Sequence, residues 1–387
     1  MQPVTYVAVD VEALSHNLRT VRTRMAETVG LMAVVKANAY GHGLDLAAGA
    51  FVEAEADWLG VSTVAEGVRL RDAGIELPVL VFLPALGDEI DTIIEHRLTG
   101  TIVASDEIPA YVDAAEKLGR DAAAHVYVDT GLGRLGSDDA LGEMLARAGT
   151  HPRLNISGIY THFGPGASGT MLGGIDDLKP GSSGRAFAAL AGETAGKTGL
   201  GKIALHCAAS ALFLQASEAH LDIVRIGTLL YGQKPPDASN DTMKLHKTFE
   251  LRSHIVAIQT LPPGSPVGYG GEFVTRRDTR IATVPVGIAD GLGVAPTSLM
   301  RNLKYVAAEY LRRRAAGRGK TDRALCAMLG DQTVPIVGRI SMDQCCLDVT
   351  DVEAQVGAEV ALPTRRASTN PQLPRIAATI AQARREA

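Results

Sequence analysis

From about residue 30 to 235 the chain repeats one pattern: a short apolar run, a polar turn, then a stretch with helical spacing. The runs are "LMAVVKA", "WLGVS", "PVLVFL", "TGTIVAS", "AHVYVDTG", "NISGIYTHF", "KIALHCAAS" and "IVRIGTLLYG". Near-continuous apolar strands alternating with amphipathic segments predict a parallel sheet whose outer face is covered by helices. Eight such units in about 200 residues fit an α/β fold of the (β/α)8 barrel type. An open doubly wound sheet is the alternative.

After Tyr231-Gly232 the texture changes. "KPPDASNDTM" is a linker rich in Pro, Ser, Asn and Asp. Beyond it "LRSHIVAIQTL", "TRIATVPVGIA", "TVPIVGRISMDQCCLDV" and "VGAEVALP" read as strands with few helices between them, which predicts a smaller, mainly β carboxyl-terminal domain. The opening strand "TYVAVDV" has no place in the eightfold rhythm and is expected to pair with that domain. The expected division is therefore a barrel over 10–235 and a β domain made of 1–9 with 236–387. Two segments break the pattern. Residues 164–184 are rich in Gly and Ser and read as a loop, and residues 301–323 carry Leu303, Val306, Tyr310 and Leu311 at the spacing of a solvated amphipathic helix.

Composition narrows the function classes. The 387 residues are 46% hydrophobic and 21% charged, ordinary for a globular protein, and their length favours two domains. A net charge of −5 lacks the basic surplus of a nucleic-acid binder. Cys207, Cys326, Cys345 and Cys346 have neither metal-ligand spacing nor the density of a disulfide scaffold, so no metal is expected and a reduced interior is. The amino end does not read as a signal peptide and no apolar run approaches a bilayer span, so the expected location is the cytoplasm, away from membranes.

In a (β/α)8 barrel the chemistry sits at the carboxyl ends of the strands. Those ends carry Lys36, Arg134 in "VDTGLGRLG", His162 in "YTHF", His206 and Ser210 in "HCAAS", and Arg225, Gly227 and Thr228 in "VRIGT". Cations and hydrogen-bonding groups dominate this mouth, which suits an anionic ligand. Gly227 and Thr228 can present backbone N–H groups, and Ser210 a hydroxyl, to a phosphate. A desolvated lysine beside such a site can react with an aldehyde. Taken singly, Lys36 also reads as a snorkelling strand-end lysine, Arg225 as half of a surface ion pair, and His206 as a core histidine. His42 reads as a turn residue, and Cys345 and Cys346 as core and edge positions of a strand.

"AVVKANAYGHG" resembles the cofactor-lysine motif of the alanine racemase family, pyridoxal-phosphate-dependent enzymes of fold type III. "VDTGLGRLG", "GIYTHF", "VRIGTLLYG", "VGYGGEF", "VPVGIADG" and "VGRISMDQ" resemble further family segments in the same order, over about residues 5–350. The resemblance implies a barrel plus a β domain and a homodimer with shared active sites. The implied reaction is interconversion of the L and D forms of a small amino acid, most directly alanine. Lys36 would then hold pyridoxal 5'-phosphate covalently and act as one base, with Tyr269 as the opposite-face base from the partner subunit. Tyr40, Ser210, Gly227 and Thr228 would surround the phosphate, with His162 nearby. Arg225 would face the ring nitrogen. Arg134 would serve the cofactor's phenolic oxygen and the substrate carboxylate, to which Met342 would offer its backbone N–H.

Racemisation needs a proton removed from one face of Cα and returned on the other, hence two bases. Lysine and tyrosine side chains titrate near ~10.4 and ~10 in water, so such bases require a cationic, desolvated surround. An arginine at the ring nitrogen, where many pyridoxal enzymes place a carboxylate, keeps that nitrogen unprotonated and discourages side reactions such as transamination. The chain departs from the family at four points. Tyr127 stands where a lysine, commonly carbamylated, supports the arginine. Ala209 replaces an asparagine, Ile288 an active-site tyrosine, and the carboxyl end has no tyrosine for the phosphate. Competing expectations are a racemase of serine or of broad specificity and, from other classes, a pyridoxal-phosphate carrier or a decarboxylase of the same fold.

Overall fold

The structure, a computed structural model, describes residues 3–137, 139, 141–163, 180–197, 200, 202–236, 240–294 and 325–382. It divides into two compact units, one built on Val11–Thr248, the other on Met1–Asp10 with Phe249–Ala381. The chain opens with β1 (Thr5–Val9), which belongs to the second.

The first unit holds β2 (Gly30–Val34), β3 (Trp58–Val61), β4 (Val79–Val81), β5 (Thr99–Ile102), β6 (Ala122–Tyr127), β7 (Leu154–Tyr160), β8 (Ala204–His206) and β9 (Ile223–Ile226). Each overlaps one of the eight apolar runs. They form one parallel sheet in the order β8-β7-β6-β5-β4-β3-β2-β9, so the first and last of the eight are neighbours and the sheet wraps into a nearly closed barrel. Among the described residues, no continuous ladder joins β8 to β9. The seam is drawn together by a parallel bridge between Ala209 and Arg225, and the Arg225 N–H donates to the Ala208 carbonyl at 2.9 Å.

Strand periodicity explains how the interior is filled, since alternate side chains face one side. Met32, Leu80, Tyr127, Tyr160 and Ile223, from β2, β4, β6, β7 and β9, pack as one cluster with Trp58, Phe82 and Ala204. Two residues on from Met32 comes Val34, and two further comes Lys36, so the alternation that fills the barrel also delivers the lysine to its mouth.

Helices follow the strands. That over Val64–Asp72 starts at a reciprocal cap: the Thr63 hydroxyl accepts from the Glu66 N–H, and the Glu66 carboxylate accepts from the Thr63 N–H. The helix Pro180–Lys197 corrects one expectation, because 180–184 open a helix rather than close a loop. Proline is well placed in a first helical turn, and the alanine-rich sequence that follows carries the helix on. Residues 164–179, the rest of that loop, and the expected helix within 301–323 lie outside the described residues.

Among the described residues, the second unit holds a nine-stranded sheet. Its further strands are β10 (Phe249–His254), β11 (Ala257–Leu261), β14 (Thr279–Val284), β15 (Cys326–Leu329), β16 (Gln332–Val337), β17 (Cys345–Asp348), β18 (Glu359–Leu362) and β19 (Arg375–Ala377), while β12 (Pro266–Val267) and β13 (Phe273–Val274) form a separate pair. β1 pairs antiparallel with β10 and parallel with β19. The run "LRSHIVAIQTL" is two strands, β10 and β11, parted at Ile255 and Val256. Among the described residues, no helix is long and apolar enough to cross a membrane.

Candidate active site

A cavity of about 350 Å³ opens in the barrel unit, lined by Lys36, Tyr40, Arg134, His162, Ser210, Arg225, Gly227 and Thr228 among others. All eight cofactor-site positions expected of this unit therefore converge. No carboxylate lines the cavity among the described residues. Desolvation, then the nearby Arg134 and Arg225, pull the Lys36 amine below its ordinary pKa. Its Nζ lies 6.0 Å above the Phe82 ring, a neighbour with no signature in the sequence.

Lys36 is held by an unusual piece of backbone. Ala37, Asn38, Ala39 and Tyr40 have φ of 54°, 52°, 55° and 53°, a full left-handed turn without a glycine. Each such residue costs about 1–2 kcal/mol relative to the right-handed form, so the surroundings must impose it. The Asn38 N–H donates to the Glu66 carboxylate at 3.0 Å, and the Leu44 N–H donates to Asn38 Oδ1 at 2.9 Å. His42 is buried, with Nδ1 3.1 Å from the Ala39 carbonyl and Nε2 2.8 Å from the Thr248 hydroxyl. That is the structural role its turn position predicted.

The turn aims Tyr40 at β9. A Cβ at Gly227 would lie 2.4 Å from the Tyr40 hydroxyl oxygen, so only glycine admits the ring. The Gly227 N–H is not open to a ligand, since it donates to Ser210 Oγ at 3.2 Å. This leaves the Ser210 hydroxyl hydrogen to point elsewhere. The Thr228 N–H meets no acceptor among the described residues.

Arg225 is 5% exposed and surrounded by neutral acceptors. It donates to the His206 carbonyl and to His206 Nδ1, both at 2.9 Å, and to the Thr161 carbonyl at 2.6 Å. The Tyr160 ring lies 5.3 Å from the guanidinium and stacks on His206 at 4.9 Å. Burial lowers the Arg225 pKa, yet an arginine stays protonated. The charge in turn suppresses its neighbours. Desolvation followed by Arg225 takes His162 down to about 4, with Arg134 and Lys36 adding to the effect. His206 falls well below 6.5 for the same first two reasons.

Two residues were not singled out as cofactor neighbours. His125 faces the barrel interior, and its Nδ1 lies 2.9 Å from His206 Nε2. The run "AHVYVDTG" puts it two residues before Tyr127 on one face, which was the available signal. Tyr127 lines the cavity and is 2% exposed, and its hydroxyl finds no partner among the described residues. Burial is the main reason its pKa is raised, so it offers a neutral hydroxyl where the family commonly has an anion.

The remaining expected residues lie in the β unit. Tyr269 and Met342 are 71% and 67% exposed, and Ile288 is 49% exposed. The Ala289 N–H donates to the Met342 carbonyl at 2.9 Å, tying two of their loops together.

The chain matches the family "Alanine racemase, N-terminal domain" over residues 9–235 and "Alanine racemase, C-terminal domain" over 248–387. It belongs to the pyridoxal-phosphate-dependent alanine racemase family. Alanine racemase 1 of Caldanaerobacter subterraneus subsp. tengcongensis is 34% identical over 92% of this chain and 85% of its own. The alanine racemase of Desulfovibrio desulfuricans is 32% identical over 92% and 88%. Among solved structures, the alanine racemase of D-cycloserine-producing Streptomyces lavendulae superposes with a TM-score of 0.75 at 28% identity, over 96% of this chain and 94% of that one. As a member of the alanine racemase family the chain has the barrel and β sheet that its sequence predicts.

Proposed function

We propose that this chain interconverts L- and D-alanine by a two-base reaction, with Lys36 and the Tyr269 of a second copy of the chain on opposite faces of the substrate. The observation that carries the reading is the cavity's charge. Lys36, Arg134 and Arg225 line it with no carboxylate among the described residues, and the lysine is held below its usual pKa. These features fit pyridoxal phosphate. Its aldehyde suits the Lys36 amine, its phosphate the group of Tyr40, Ser210 and the Thr228 N–H, and its ring nitrogen Arg225. Arg134 would serve the phenolic oxygen and the substrate carboxylate, Met342 the carboxylate through its N–H, and His162 stands near.

When bound, the cofactor withdraws electrons from the substrate and makes its Cα–H acidic. The chain's own groups do the rest. Lys36 Nζ takes or returns the Cα proton on one face, and Tyr269 Oη does so on the other. Arg225 accepts no proton and has none to spare at neutral pH, so a ring nitrogen facing it would stay neutral. Phe82 and Tyr160 put apolar ring surface against the two cations. Support for a homodimer comes from the exposure of Tyr269, Ile288 and Met342, an apolar group that a second copy would cover. Four cysteines with neither metal-ligand spacing nor the density of a disulfide scaffold suit the reducing cytoplasm.

The half-exposed Ile288, in place of an entrance tyrosine, favours a second reading in which serine or a larger amino acid is the better substrate. Initial rates over a panel of L-amino acids decide between the two, and a larger substrate beating alanine replaces the first reading. Entry of solvent deuterium at Cα with loss of optical rotation is expected. Release of carbon dioxide instead makes the chain a decarboxylase, and no turnover makes it a carrier.

A further inference from the structure

The direction of every hydrogen bond behind Arg225 is fixed by chemistry. A guanidinium only donates, so His206 Nδ1, 2.9 Å from it, is an acceptor. His206 is buried and neutral, so its proton sits on Nε2. That nitrogen lies 2.9 Å from Nδ1 of His125, which must then accept, leaving the proton of His125 on its own Nε2. There the chain of bonds ends. His125 is fully buried beside Trp58, ring centroids 5.4 Å apart, and its Nε2 has no partner among the described residues.

Such an arrangement is expensive if His125 only fills space. A buried donor without a partner costs about 1–3 kcal/mol. The neighbouring strand also gives up a side chain, because a Cβ at Gly158 would lie 2.6 Å from the imidazole. A leucine would carry no unpaired donor.

We propose that His125 is a positioning residue for Arg225: by accepting the Nε2 proton of His206 it holds that imidazole in the one tautomer that can receive a bond from the guanidinium. Without an acceptor at position 125, the Nε2 proton of His206 is left buried and unpaired, which offsets the bond Nδ1 accepts from Arg225 and weakens the preference for this tautomer. Its other tautomer points N–H against N–H at Arg225 and removes one of the bonds that aim the cation into the cavity. Arg225's action on the cofactor's ring nitrogen belongs to the proposed function, and the inference rests on it.

Asparagine and leucine at 125 separate positioning from packing. They are similar in size, but asparagine places an oxygen acceptor near the position of the imidazole Nδ1. In the holoenzyme, His125→Leu should lower kcat for alanine roughly tenfold with little change in KM, the scale of one bond to a charged group. It should also move the pH at which the visible absorbance of the bound cofactor changes. His125→Asn should stay within roughly threefold of the parent and keep the parent's pH response. Equal losses in both variants overturn the proposal. A measurement on the unaltered holoenzyme needs no variant to fold: 15N NMR should place the His206 proton on Nε2, and a proton on Nδ1 also overturns it. That assignment does not depend on turnover, so a chain that fails to racemise alanine would still show it.

Discussion

Acidification should strike the barrel through His125. The histidine has its pKa lowered from 6.5 to about 3, first by desolvation and then by Arg225. As pH falls through 6.5 the unfolded chain takes up a proton at this position while the folded chain does not. Stability at this residue is therefore complete above 6.5 and is lost progressively as pH falls toward 3. At pH 5 the unfolded group is 1.5 units below its pKa of 6.5. At about 1.36 kcal/mol per unit, this is a loss of about 2 kcal/mol relative to pH 8. Comparing the parent with His125→Asn isolates the effect, since the carboxylates and other histidines are common to both. Trp58 is the only tryptophan and starts β3, so its fluorescence in urea reports the barrel unit alone. Between pH 8 and pH 5 the parent should lose about 2 kcal/mol more than the variant. Parallel losses would refute a neutral, buried His125.

Lys36→Ala should abolish both the visible absorbance of the bound cofactor and racemisation. Tyr269→Phe should keep the absorbance and lose turnover by about 10²–10⁴-fold, with full activity sinking the two-base scheme. Mixing and reassociating these two inactive variants tests the shared site: about a quarter of the parental activity should return, because half of the dimers are mixed and each has one intact site. If lysine and tyrosine come from the same chain, nothing returns. Gly227→Ala drives a Cβ to within 2.4 Å of the Tyr40 hydroxyl and should raise the cofactor's dissociation constant at least about tenfold, read by absorbance titration.

The barrel was legible because its strands are buried on both faces, and eight apolar runs separated by polar turns have few other solutions. The mouth was legible for a related reason. A cation at the end of such a run, as at Lys36, Arg134 and Arg225, stands out against a background of Val, Ile and Leu. Less could be read where the cause lies far along the chain. His125 looks like an isolated core histidine until His206, 81 residues away, reaches it. The Gly227 N–H looked available for a phosphate until Ser210 Oγ was found to accept it. The left-handed turn was hidden because alanine, asparagine and tyrosine announce nothing of the kind. The sequence marks a bend only at Gly41 and Gly43, after the turn is over. In the β unit, the split of "LRSHIVAIQTL" into two strands falls at the apolar pair Ile255 and Val256 and left no polar gap to detect.

That left-handed turn bears on how the enzyme spends its binding energy. Glycines at 37 and 39 would relieve much of the strain, yet they would free Lys36 and Tyr40 to wander before a ligand arrives. With alanines there, the ordering of Lys36 and Tyr40 is completed during folding. The ligand meets a surface already set, and little of its affinity is consumed in arranging it. Replacing Ala37 or Ala39 by glycine should thus make the protein easier to fold and the cofactor easier to lose, an exchange of stability for retention written into a few dihedral angles.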